Sequence, residues 1–134
     1  MKDDGFADSN VLLYTLDQAS IKQQIVFALW RKGLVVSTQV VMEFTNVCLK
    51  KMKFSKQDAF ENALNIMEGT LVRPITEKSV RFAFAVAVKY GFSHWDSLIV
   101  ASAIEAGCNI LYSEDLQHGQ LINGKLKIVN PFIV

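Results

Sequence analysis

Four acids stand at positions where charge does little for stability. Asp8 follows the apolar start of "GFADSN", and Asp115 follows the apolar run "NILYS" in "LYSEDLQHG". Glu43 lies in "TQVVMEFTNVCLKKMK", three residues after Val40 and four before Val47, on the core-facing stripe of an expected helix. Asp96 opens the apolar segment "SHWDSLIVASAIEAG". Carboxylates brought to one place repel one another and raise one another's pKa, a penalty that a divalent cation removes. With no Cys or His at metal spacing, the all-oxygen set suits Mg²⁺ or Mn²⁺ better than Zn²⁺. An ion held this way can orient a phosphate, offset its developing charge and acidify an attacking water.

Each acid also has a plain structural reading. Asp8 is a favoured N-cap for the helix after it. Ser93-His94-Trp95-Asp96 matches the S-x-x-D box that satisfies free amides at a helix start. Asp115 suits an Asx-turn leaving a strand. Glu43 on an apolar face costs on the order of several kcal/mol unless neutralised, and a core lysine or arginine would do that as well as a cation. These readings explain the acids one at a time, whereas a single site explains them together.

The elements that must position them alternate. "GFADSN" reads as a short strand running into the helix start "VLLYTL"; "ASIKQQIVFALWRKG" is helical and stops at Gly33. "LVVS", "TLVRPI", "NILYS" and "LKIVNPF" are four further short strands. Between them lie "TQVVMEFTNVCLKKMK", "SKQDAFENALNIMEG" capped by Ser55, "TEKSVRFAFAVAVKYG" running from Thr76 to Gly91, and the nearly all-apolar "SHWDSLIVASAIEAG". Asn123-Gly124 in "LINGKLKIV" signals a hairpin turn. The alternation predicts an α/β fold with a parallel sheet, in which ligands bind beyond the carboxyl ends of the strands at the switch point. Asp8 and Asp115 fall there.

Composition narrows the class. A chain of 134 residues that is 51% hydrophobic and 20% charged can fill one core, and disorder is not expected. A net charge of +1 predicts no strong general attraction to nucleic acid or anionic membrane, so a phosphate-bearing substrate needs local help. Cys48 and Cys108 sit in apolar contexts and read as buried thiols of a reducing cytoplasm. "MKDDGFADSN" lacks the apolar run of a signal peptide, and no stretch approaches the roughly 20 apolar residues of a spanning helix.

"FADSNVLLY", the glutamate within "STQVVMEFTNV", "HWDSLIVASA" and "LYSEDLQHG" occur in this order over essentially the whole chain. Together they resemble the PIN-domain family, and more narrowly the toxin ribonucleases of VapBC-type (VapC-like) type II toxin–antitoxin pairs. The resemblance implies a single PIN-like domain over residues 1–134, a three-layer α/β/α sandwich around a mostly parallel sheet of about five strands. It implies a metal-dependent endoribonuclease with Asp8, Glu43, Asp96 and Asp115 as catalytic and metal-binding acids for Mg²⁺ or Mn²⁺. In that scheme Asn10 orients Asp8, and Ser113 positions the metal or water. Glu114 stays outside the core set, at most supporting the ligands from behind. Implied partners are an RNA substrate, a cognate antitoxin and a second copy of the chain, in the cytoplasm and with no membrane.

Other residues are discounted. His94, His118 and Trp95 read first as surface or packing residues, and "LKKMK" (49–53) as a solvated helix end favoured by its dipole. The alternative functions are a receiver-like phosphoacceptor domain, or an inactive PIN-fold module that binds or signals. "TLVRPI" offers no acceptor acid and "IVNPF" no lysine for a receiver.

Overall fold

The computed structural model describes residues 5–133; the reading of the first four residues as part of no leader lies outside them. Segments too short and too apolar for helices build a six-stranded sheet: β1 (Gly5–Ala7), β2 (Leu34–Ser37), β3 (Leu71–Arg73), β4 (Ile110–Tyr112), β5 (Leu121–Ile122) and β6 (Leu126–Val129). Their order is β3-β2-β1-β4-β6-β5, and every pairing is parallel except β5 with β6. All residues of β1 and β2 are buried, as parallel strands covered on both faces require. The strand beyond the five expected is the first arm of the Asn123-Gly124 hairpin. Both turn residues have positive φ, 52° and 66°, as a two-residue hairpin turn that follows the sheet's twist demands.

The helices are α1 (Ser9–Leu12), α2 (Ile21–Lys32), α3 (Thr38–Lys50), α4 (Lys56–Gly69), α5 (Glu77–Tyr90) and α6 (His94–Glu105). The "VLLYTL" helix is shorter than expected: after Leu12 it tightens into a 3₁₀ turn over Leu13–Leu16. Helix starts follow the sequence signals. Ser20, Ser37, Ser55, Thr76 and Ser93 each accept a first-turn amide, and Thr76 forms a reciprocal box with Ser79. Gly91 ends α5 with φ 79°, the left-handed turn that glycine adopts without strain. The apolar α6 is deeply packed, with Ile99, Val100, Ala101 and Ala103 in the core beside Phe6, Phe44 and Leu111. No described helix is long and apolar enough to cross a membrane.

The topology creates one special edge. From central β1 the chain goes to β2 on one side, while β4 arrives on the other, so a crevice opens beyond the carboxyl ends of β1 and β4. The Asp8 amide donates to the Tyr112 carbonyl at 3.0 Å, which sets the residues after β1 beside those after β4.

Gly69, the last residue of α4, is placed for a reason the sequence hides. A Cβ there would collide with the indole of half-buried Trp30. We expect Gly69→Ala to destabilise the fold by about 1–3 kcal/mol in urea unfolding, as overpacking does. An unchanged midpoint would show that Trp30 is free to move aside.

Candidate active site

Asp8 caps α1 and is only 6% exposed. Its Oδ1 accepts from the Ser9 amide at 2.8 Å, and its Oδ2 from the Ser113 hydroxyl at 3.0 Å and more distantly from Asn10 Nδ2 at 3.4 Å. The capping reading is therefore true but incomplete, because one amide and one hydroxyl do not neutralise a buried carboxylate. Burial pushes its pKa up to about 6; the Ser113 and Ser9 bonds oppose that rise, and the charges of Glu43 and Asp96 add to it. Asn10 Oδ1 accepts from the Glu114 amide at 3.1 Å, so Asn10 joins the turn after β1 to the turn after β4.

Glu43 is half-buried on α3, and no lysine or arginine among the described residues pairs with it. Gln39, one turn earlier, donates to its Oε2 at 3.0 Å, and the Ser9 hydroxyl makes a long 3.5 Å contact to Oε1. Burial raises its pKa against those two contacts, and the nearby charge of Asp96 raises it further. Ser93 accepts the Asp96 amide at 3.0 Å, but the Asp96 carboxylate does not return the bond, so only half of the S-x-x-D box forms. The Asp96 carboxylate, with no ion-pair partner among the described residues, lies within electrostatic reach of Asp8 and Glu43.

Asp115 stands three residues beyond β4, exposed, and its carboxylate has no bonded partner among the described residues, so the Asx-turn is not made. Ser113 is fully buried, and besides holding Asp8 it accepts the Leu116 amide at 3.4 Å, fixing the loop that carries Asp115. Glu114 points elsewhere: it accepts from Tyr14 Oη and from Lys22 Nζ, each at 2.8 Å. Burial alone would raise its pKa, but Lys22 and Tyr14 outweigh that and hold it below the usual range. Lys22 also sits over the rings of Tyr14 and Phe132, at 4.6 and 4.9 Å from their centroids. We expect Lys22→Met to raise the Glu114 pKa, read from carboxyl ¹³C shifts against pH. A Glu114 titration unmoved by the substitution would contradict this pairing.

The structure therefore brings Asp8, Glu43 and Asp96 within electrostatic reach of one another and sets Asp115 on the adjoining loop. Among the described residues, no three acids stand close enough to chelate an ion as they are placed. The donor chemistry nonetheless fits a hard divalent cation. All donors are oxygens, and among the described residues none of the four acids is ion-paired and the buried Gln39 amide oxygen beside Glu43 receives no hydrogen bond.

Some supporting residues escape a reading of motifs. Gln39 does so although its spacing of four from Glu43 is a helix-pair signal, as do Ser9, Tyr14 and Lys22. His118 proves to be a loop residue whose Nδ1 accepts from the Asn130 amide at 2.9 Å.

A PIN-domain family model matches residues 6–121, so the chain belongs to the PIN-domain family. Solved structures agree on the fold. A toxin–antitoxin complex from Klebsiella pneumoniae superposes with a TM-score of 0.72 at 18% identity, covering 97% of this chain and 99% of that one. DNA-bound VapBC from Salmonella typhimurium gives 0.71 at 15% identity, with 96% and 97% covered. VapC20 of Mycobacterium tuberculosis, a sarcin–ricin-loop-cleaving toxin, gives 0.67 at 16% identity, with 83% and 89% covered. No curated protein sequence matches this chain.

Proposed function

We propose that this chain, a single domain over residues 1–134, is a metal-dependent endoribonuclease and the toxin of a toxin–antitoxin pair. The observation that carries the reading is the buried Asp8 carboxylate at the switch point, which has no ion-pair partner among the described residues and whose charge penalty Glu43 and Asp96 raise. The structural likeness to toxins, one named for cleaving the sarcin–ricin loop, supports the direction of the reading.

Asp8, Asp96 and Asp115 would hold Mg²⁺ or Mn²⁺, with Glu43 directly or through water. The bound ion supplies the positive charge that phosphodiester hydrolysis needs and lowers the pKa of water. Asp8 is kept oriented by Ser113 and Ser9, and Asn10 locks the two turns together. Glu43 Oε1 carries only one long contact among the described residues, and burial raises the pKa of this carboxylate. Glu114, paired with Lys22, holds the loop rather than a ligand. Exposed Phe60 and Leu64 on α4, and Phe84 and Val88 on α5, offer apolar surface for an antitoxin and a second copy of the chain, in the cytoplasm.

A receiver-like role falls with the family assignment, and β3 ends in Arg73 with no acceptor acid. An inactive binding module is tested directly: the purified chain should cleave RNA with Mg²⁺ and not with chelator, and Asp96→Asn should abolish cleavage. Equal cleavage by Asp96→Asn, or no cleavage with either metal, would defeat the proposal.

A further inference from the structure

Beside the acids lies a groove of about 430 Å³ lined by Gln39, Met42, Glu43, Asn46 and Trp95. Its apolar members are far from core-like: Trp95 is 59% exposed and Met42 68%. Trp95 is engaged through its ring and through its backbone. The His94 ring lies against the indole with centroids 4.9 Å apart, and the Trp95 backbone carbonyl accepts from Gln39 Nε2 at 3.2 Å, the same nitrogen that holds Glu43. Groove and acids therefore share one hydrogen-bonded frame, and Glu43 lines both.

We infer that this groove takes one unstacked base of single-stranded RNA, with Trp95 as its stacking platform; the inference rests on the proposed ribonuclease reading. An aromatic face accepts any base, and the Asn46 and Gln39 amides are suited to base edges. A neutral base tolerates Glu43 where a phosphate would be repelled, while the groove's continuity with the acids places the adjoining phosphate at them. Paired bases in a duplex cannot reach Trp95, so the preference is for unpaired RNA.

The test uses the full chain carrying Asp8→Asn so that the probe stays intact, with Trp95→Ala or Trp95→Phe added. The probes are single-stranded oligoadenylate, an abasic oligomer of equal length and duplex RNA, followed by fluorescence anisotropy. Oligoadenylate is expected to bind about tenfold or more tighter than the abasic oligomer. Trp95→Ala should erase that difference, Trp95→Phe should keep most of it, and duplex binding should not change. Unaltered oligoadenylate binding in Trp95→Ala, or no preference for bases in any variant, overturns the inference. Cleavage by the chain with native Asp8 is scored separately. Base-dependent binding without Mg²⁺-dependent cleavage sinks the ribonuclease reading alone, and cleavage without a Trp95 effect sinks the groove alone.

Discussion

The metal-free Asp8→Asn protein is expected to be more stable than the native chain at pH 7, by about 1–3 kcal/mol, while losing RNA cleavage. The Asp8 pKa stands at about 6 against an ordinary 3.8. The folded state therefore binds the proton more tightly than the unfolded chain does. Below about pH 4 both states are protonated and there is no penalty. As pH rises from about 4 to 6 native stability falls, and above that the full cost, about 3 kcal/mol, is present. Asparagine removes the charge and keeps an oxygen for the Ser9 amide or the Ser113 hydroxyl, so part of that cost is recovered. In a thermal melt this is a rise of several degrees. Added Mg²⁺ should narrow the gap by stabilising the native chain alone. An Asp8→Asn protein less stable than native in chelator would show that the carboxylate is structural.

Ser113→Ala should act in the opposite sense. Ser113 is fully buried; its hydroxyl donates to Asp8 Oδ2 and accepts from Asn10 and from the Leu116 amide. Alanine leaves Asp8 buried with one donor fewer and leaves the loop amide without its acceptor. The cost is about 1–3 kcal/mol, measured by urea unfolding at pH 7. The Asp8 pKa should climb above 6, moving the acid limb of the cleavage profile to higher pH. An unchanged limb and an unchanged unfolding midpoint would remove Ser113 from the site.

Much of the fold is legible because it is local. Ser55, Thr76 and Ser93 announce helix starts, Gly91 a stop, and Asn123-Gly124 a hairpin, each through bonds made within a few residues. The first helix is harder: "VLLYTL" is apolar enough for a longer helix, but its second half tightens into a 3₁₀ turn, with Tyr14 engaged by Glu114, Lys22 and Phe132. Of these partners, Glu114 is 100 residues away along the chain. The site shows the same divide. Asp8, Glu43 and Asp96 declare themselves by charge in apolar surroundings, but the placing of Glu114 depends on Lys22, a residue no motif marks. Nor does any motif mark the closeness of Gly69 to the Trp30 ring.

Manganese binding tests whether acids spread over 107 positions of the chain serve one cation. Mn²⁺ titrations followed by water-proton relaxation would compare the native chain with Asp8→Asn, Asp96→Asn and Asp115→Asn. Each substitution should weaken binding by about tenfold or more. Native affinity retained in all three would contradict a shared metal centre.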